Sequence, residues 1–562
     1  MRGRWIFDPS RRVWPGRCDL TWRGSHAPQD GDFCIAEIDP NAHAWLVEVL
    51  GAEDRAQWDD HTIASQYRLR TVFPAAVEAE AAAMGEPGAH DFAGREDMRD
   101  QVVFTIDPED ARDHDDALSV RAVGEGRFEV GIHIADVSHY VRADSSIAAE
   151  AFERGTSTYL PSAVVPMLPA RLSTDLCSLR PDRDRLTLSV FVVLDSEGRR
   201  HHVRFAEAVI RSRHKLHYGQ VQDFFDGSPT TIDAPLGATL SQLRALAKAL
   251  RVRRRARGSL ELEVPEIRAR VDSNGEPTAL ERRSHFESHE LVEEFMLLAN
   301  RCVGEEGERR SAGLIYRVHP PPSPQKLEAL DAMLKTLALP RPGRLDDPAR
   351  ALQTLLAVSL DPAHRRLVHR LVLRSLTRAR YLESDTGHFG LAASGYCHFT
   401  SPIRRYPDLH NHMRVREWIH GRPSAAWDPV ALAHRAERST ATEQNATEAE
   451  RDATKLKAVR FLAPRLGEQL SGTITGFLRH GFFVELDEIP VEGFVRVSLY
   501  LDDYFVLDAS GVRMVGRRTR RRFSLGDSVQ VTIARVDIPA RECDFALDPT
   551  LRRRWRRTLG RV

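Results

Sequence analysis

The sequence predicts a multidomain α+β protein: a small α/β module at the N-terminal side, a large mixed α/β domain, and a closed β-barrel at the C-terminal side. Three observations carry this prediction. The 562 residues exceed what one hydrophobic core supports, so roughly two to four domains are expected. β-Branched runs such as "RFEVGIHIADV" and "LTLSVFVVLD" occur together with segments whose apolar residues recur at three- and four-residue spacing, the marks of sheet and helix in one domain. After "PRLGEQ" the texture changes to short alternating strands separated by turns.

Residues 1–92 form the first module. The runs "GDFCIAEID" and "AWLVEVLG" read as strands, and "AEDRAQWDDHTIASQYRL" and "PAAVEAEAAAMG" as helices, the second opened by proline and closed by glycine. Either a reduced barrel or a helix-turn-helix-like unit over residues 53–85 satisfies this pattern. Residues 99–462 form the large domain, with helices at "ESHELVEEFMLLANRCV", "PQKLEALDAMLKTLAL", "DPAHRRLVHRLVLRSLT" and from Pro429 to Phe461. Residues 466–548 supply five strands, within "LSGTITGFLRHGFFVELDE", "VEGFVRVS", "SLGDSVQVTIARVDI" and "ECDFALD". This is the count of a small closed barrel of the oligonucleotide-binding type. A basic tail, residues 549–562, follows.

Hydrophobic residues make up 42% and charged residues 28% of the chain, and no apolar run of about 18 residues occurs, so neither disorder nor a membrane span is expected. The start "MRGRWIFDPSRRVW" lacks a secretory pattern, which places the protein in the cytoplasm, and a monomer is expected. The six cysteines lie far apart without a CxxC pair, which argues against a zinc knuckle and a disulfide framework. Formal net charge is zero, yet Arg517 to Arg522 holds five arginines and "LRRRWRRTLGRV" six. Such patches suit a polyanion, although solvated faces are the plainer reading.

The stretch "FTIDPEDARDHDDALSV" concentrates Asp107, Asp113, Asp115 and Asp116 within ten residues. Pro108 keeps the preceding strand from continuing in a sheet interior, so a loop is expected. Carboxylates packed together raise one another's pKa unless cations neutralise them, and hard divalent ions with oxygen ligands, Mg2+ or Mn2+, are the natural partners. A solvated Asx turn is the alternative, but Arg112 is the only local cation. An EF-hand loop fails for want of its sixth-position glycine and terminal glutamate.

A second constellation, "HFGLAASGYCHFTSPIRRYPDLHNH", reads as a capped helix start, with Ser401 as N-cap, Pro402 at the first helical position and Arg404 and Arg405 in the first turn. Arginine there opposes the helix dipole, and an anionic ligand such as phosphate would offset it.

Taken in order, "TIDPEDARDHDDALSV", "GIHIADVSHYV", "TYLPSAVVPMLPARLSTDLCSL", "HELVEEFMLLAN" and "HFTSPIRRYPDL" resemble the catalytic RNB domain of the ribonuclease II / ribonuclease R family of exoribonucleases. The likeness runs from about Val103 to Leu462, and the barrel beyond it resembles that family's S1-type RNA-binding domain. The resemblance, most like ribonuclease II, implies processive, Mg2+-dependent hydrolysis of single-stranded RNA from its 3′ end to nucleoside 5′-monophosphates, with Mn2+ as a possible substitute. It carries metal binding onto Asp107, Asp113, Asp115 and Asp116, with Asp115 most directly tied to the chemical step. Arg404 matches the arginine on the scissile phosphate, and Tyr159 the aromatic that clamps bases near the 3′ end. Glu294 matches the acid facing the terminal ribose, and Glu450 a glutamate near the active centre.

Other readings stand beside these. Tyr159 could fill a core gap, and Glu294 could be a helix-surface acid, though it falls beside the apolar Leu291, Phe295 and Leu298. His285 and His289, at i, i+4 spacing without an HExxH glutamate, read as helix-surface histidines, and His133 and Asp136 as structural support. His114 has no evident role. In the barrel, Phe477, Phe482 and Phe483 alternate, with Phe483 expected to stack on a base. About 90 residues precede the catalytic domain where bacterial relatives carry two cold-shock barrels, which puts duplex preference in doubt. A ribonuclease R-like enzyme acting on structured RNA is the alternative. A non-catalytic RNA-binding protein would be expected to have lost one of the aspartates or Arg404, and none is substituted.

Overall fold

A computed structural model describes residues 5–7, 17–22, 28–29, 31–51, 55–263, 266–343, 346–421, 428–499 and 503–547. The predicted tail, residues 549–562, lies outside the described residues.

The first module is a four-stranded sheet in the order Trp5–Phe7, Cys18–Thr21, His43–Gly51, Phe33–Ile38. The two helices after it, Asp59–Gln66 and Ala75–Ala82, pack on different partners, the first on Pro429–Leu462 and the second on Ser146–Arg154, rather than as a helix-turn-helix unit. Each packs against the large domain instead. Asp59 is buried, accepting Lys457 Nζ at 2.9 Å and Arg460 Nη2 at 2.7 Å from the long helix Pro429–Leu462. Val77 and Ala81 join the apolar cluster of Ile147 and Ala151. Buried charge demands a partner, and among the described residues Asp59 finds its partners in Lys457 and Arg460 on the catalytic body.

The large domain is built on a seven-stranded mixed sheet. Its order is His214–His217, Phe104–Asp107, Asp116–Gly124, Arg127–Ala135, Asp184–Asp195, Arg200–Arg211, Glu96–Asp97. Side chains alternate between its faces as the period of two requires. Leu188, Val190, Val192 and Leu194 meet the helices Ala234–Ala256 and Glu287–Arg310. Phe191 and Ala208 turn to the opposite face, against Ile147, Leu172 and Leu409. The domain is therefore helix-covered on both sides of the sheet, with the acidic loop at one end of two adjacent strands.

The C-terminal barrel is closed, in the order Gln469–Leu478, Gly481–Leu486, Glu492–Arg496, Glu542–Ala546, Ser528–Asp537. Between its third and fourth strands in sequence lies an insert that the sequence reading did not anticipate, a three-stranded sheet of Phe505–Leu507, Arg513–Gly516 and Arg522–Ser524. Among the described residues, no helix is long and apolar enough to cross a membrane.

Candidate active site

Asp107 closes the strand Phe104–Asp107, directly beside His217 in the neighbouring parallel strand, and Asp116 opens the strand Asp116–Gly124. Between them the chain loops out, as Pro108 requires, and is pinned from below. Ser178 Oγ accepts the His114 N–H at 3.1 Å and donates to the Arg112 carbonyl at 2.8 Å. The His114 ring, buried, sits 2.8 Å from Asp107 Oδ2 and holds that carboxylate in place. His114 had no evident role in the sequence. Its function depends on a fold that returns the loop over the strand, which spacing alone does not reveal.

Asp115 is 4% exposed, and its partners come from far along the chain. The Ile403 N–H donates to Asp115 Oδ1 at 2.9 Å, and Arg404 Nε lies 3.4 Å from Asp115 Oδ2. The segment holding Arg404 differs from the predicted helix start. The helix is Tyr406–Ile419, so both arginines precede it. Asp408, not Ser401, supplies the negative charge at its N-terminus, accepting the Ser401 N–H at 2.8 Å and Arg405 Nη2 at 2.7 Å. The offset to the helix dipole is thus internal to the protein, and Arg404 remains free of the helix to face the loop.

The same segment recruits Tyr159. The Arg404 carbonyl accepts the Ser157 N–H at 2.9 Å and the Thr156 hydroxyl at 3.0 Å. Just before these residues, Gly155 (φ +70°) crosses the long helix Pro429–Leu462 so closely that any Cβ would collide with Thr442. Two residues past Ser157, the Tyr159 hydroxyl donates to Asp113 Oδ2 at 2.7 Å, while its peptide N–H donates to Glu450 Oε1 at 2.8 Å. The tyrosine is exposed rather than filling a core gap. Asp113, Asp115, Tyr159, Arg404 and Glu450 thus meet from four separate stretches of sequence.

The electrostatics of the site want a cation. Burial, reinforced by Asp113 and Asp116, pushes the Asp115 carboxyl well above the ordinary range against the pull of Arg404 and the Ile403 N–H. Burial and the Asp107 charge push Asp116 up to about 8. Burial also raises Glu450. Among the described residues no three His, Cys, Asp or Glu side chains already enclose a metal position. The donor set is nonetheless all carboxylate oxygen, crowded and short of positive charge, and it fits a hard divalent cation.

Not every predicted residue joins this site. Glu294, expected to face a ribose, is instead 4% exposed and bound to Arg254, with Nε at 2.9 Å and Nη2 at 2.5 Å. Its Oε1 takes both bonds of a buried ion pair between two helices, whereas the preceding Glu293 is exposed. His289 stacks on Tyr218 at 3.9 Å and 10°, and its Nδ1 accepts the Phe286 N–H at 3.1 Å, which makes it a capping and stacking residue rather than a metal ligand. Tyr218, which sequence reading missed, follows His217, the strand neighbour of Asp107. His133 bonds Ser119 and Ser189 in the sheet core, and Asp136 pairs with Arg95 at 2.7 Å. Phe483 lies on the barrel, 5.0 Å from Phe494. Phe482 is fully buried in the barrel core, and Phe477 packs against it.

Comparison with known proteins adds to this geometry. Residues 95–421 match the RNB domain family, and residues 463–547 match the S1 RNA binding domain. Ribonuclease R of Thermotoga maritima is 37% identical over 517 residues, covering 90% of this chain and 73% of that protein. The structure of Mycoplasma genitalium RNase R in complex with ribose-methylated single-stranded RNA superposes with a TM-score of 0.88 at 27% identity, covering 96% of this chain and 86% of that one. The same protein in complex with double-stranded RNA gives a TM-score of 0.82 at 26% identity, covering 94% of this chain and 92% of that one.

Proposed function

The chain belongs to the RNB domain family of 3′-to-5′ exoribonucleases, and on that premise we propose that it hydrolyses RNA processively from the 3′ end to nucleoside 5′-monophosphates. The observation that carries this is the meeting of Asp113, Asp115, Tyr159, Arg404 and Glu450 around one carboxylate-rich point. The non-catalytic alternative is disfavoured, because every aspartate of the loop and Arg404 is present and the loop is pinned for use.

Asp107, Asp113, Asp115 and Asp116 would hold the cation, Mg2+ by preference and Mn2+ as a substitute. A bound divalent ion supplies a water nucleophile at neutral pH and stabilises the departing oxygen of an in-line displacement. The chain's own residues do the rest. His114 fixes the Asp107 carboxylate, and the Ile403 N–H fixes that of Asp115. Arg404, partly exposed beside Asp115, is set to meet the charge that builds on the phosphate oxygens. Tyr159, anchored through both its hydroxyl and its peptide N–H, presents its ring as a platform that accepts any base.

Kinship with ribonuclease R favours the ribonuclease R-like alternative over the reading most like ribonuclease II. A solved complex of one such relative holds double-stranded RNA, which supports a proposal that this enzyme also enters duplexes bearing a 3′ single-stranded end. The setting proposed is cytoplasmic and monomeric, in keeping with six free cysteines. A degradation assay on matched single-stranded and 3′-tailed duplex RNA, with and without Mg2+, tests the reading. The expected result is 5′-monophosphate release from both substrates only with metal, and release from internal sites or without metal would overturn it.

A further inference from the structure

The barrel's three-stranded insert ends in a tip that carries Arg517, Arg518, Arg520, Arg521 and Arg522, all exposed. The tip is rigidly built. Asp503 accepts the Arg518 N–H at 2.9 Å and the Thr519 N–H at 2.8 Å, and the Gly516 N–H donates to the Arg521 carbonyl at 2.9 Å. Its footing is the catalytic domain: Arg513 Nη2 donates to the Thr336 carbonyl at 2.6 Å, and Val512 and Leu525 pack with Leu330 and Leu371. The charges are therefore held in a fixed place.

Two further observations point to a ligand. Among the described residues, Arg517 and Arg521 lie over the rings of Tyr504 and Phe523, at 5.1 and 4.8 Å, and neither they nor Arg520 and Arg522 enter a salt bridge. Arg520 also adopts φ +57°, the left-handed conformation that glycine takes freely and other residues only at a cost.

The barrel proper offers a different chemistry. Phe483 and Phe494 stand 5.0 Å apart, with His480 5.1 Å from Phe494, an aromatic face suited to unpaired bases. We propose that the arginine tip is a second RNA-contact surface, separate from that face, which holds the sugar-phosphate backbone without reading bases and so grips paired and unpaired RNA alike. This rests on the RNA-degrading reading above.

The test uses the full chain carrying Asp115→Asn, so that RNA is bound and not consumed. Affinity for a single strand and for a 3′-tailed hairpin is measured against salt, with and without Arg→Gln at 517, 520, 521 and 522. The logarithm of affinity should depend less steeply on the logarithm of salt by about 0.7–0.9 for each phosphate contact removed, at least about 2 in all, on both RNAs. Phe483→Ala should weaken single-strand binding and leave the salt slope in place. Arg520→Gly should raise the melting temperature while still reducing the slope, which separates charge from folding. An unchanged slope in the fourfold variant overturns this inference alone. Failure of Asp115→Asn itself to bind any RNA overturns the RNA reading along with it.

Discussion

Arg404 and Asp115 meet at 3.4 Å, and the peptide N–H beside the arginine, that of Ile403, reaches the same carboxylate across 288 residues of chain. A cation and an anion are held this close, one partly exposed and the other buried, where the proposed reading puts the scissile phosphate. Each neighbour's role follows from how it supports this pair.

His114 contributes by holding Asp107. His114→Ala frees that carboxylate to rotate, and the metal concentration for half-maximal activity should rise roughly ten- to a hundredfold, as for other residues that orient metal ligands. Activity should return at excess metal. An unaltered metal titration would show that Asp107 needs no such support.

Tyr159 separates its ring from its hydroxyl. Tyr159→Ala should change the length of the final undegraded oligonucleotide, since a stacked base contributes about 1–3 kcal/mol. Tyr159→Phe loses the hydrogen bond to Asp113 but keeps the platform, and its end product should match wild type. Identical end products from wild type and the alanine variant would remove the tyrosine from the RNA path.

Glu294 should matter to stability and not to sugar choice. Glu294→Ala removes the nearest carboxylate from buried Arg254, leaving it Glu261 at 3.6 Å and the Ser259 hydroxyl, and the unfolding free energy should fall by about 1–3 kcal/mol in a denaturant titration. The preference for RNA over DNA should not move. Cleavage of DNA by a variant that remains stable would restore Glu294 to the ribose.

Asp136 gives the fold a pH signature. Burial pushes its carboxyl up, but Arg95, Arg416 and the Arg95 and Ser138 hydrogen bonds outweigh that and hold it at about 2, below the unfolded value of about 3.9. The ionised form is thus favoured by folding, a contribution on the order of 2 kcal/mol that is present above about pH 4 and lost as pH falls toward 2. Asp136→Asn lacks it at every pH. The stability gap between wild type and variant should be constant near neutrality and narrow only on the acid side, and a gap that narrows toward alkaline pH would contradict the assignment.

The acidic loop was legible because its carboxylates lie close together in sequence: Asp107, Asp113, Asp115 and Asp116 with Pro108 in one short stretch announce crowding and a turn. The strands Arg127–Ala135 and Asp184–Asp195 and the helix Glu287–Arg310 were legible through their periodicity. What failed were pairings across the chain. The position of Glu294 beside an apolar stripe spoke for burial, but its partner Arg254 lies 40 residues away on another helix. Pro402 was expected to open the helix, which instead begins at Tyr406 with Pro407 in its first turn, and Asp408 receives both Ser401 and Arg405. The helices Asp59–Gln66 and Ala75–Ala82 looked like an independent pair because nothing local shows Lys457 and Arg460 waiting for Asp59.

The central claim, metal-dependent phosphodiester hydrolysis at Asp115, is tested most directly by Asp115→Asn on end-labelled poly(A) with Mg2+, measured for both turnover and binding. The account predicts that hydrolysis is abolished while single-strand affinity stays close to wild type, because the residue serves the chemical step and not the grip. Residual turnover above about a tenth of wild type would contradict it, since losing a group on which a metal-dependent step relies should cost several kcal/mol.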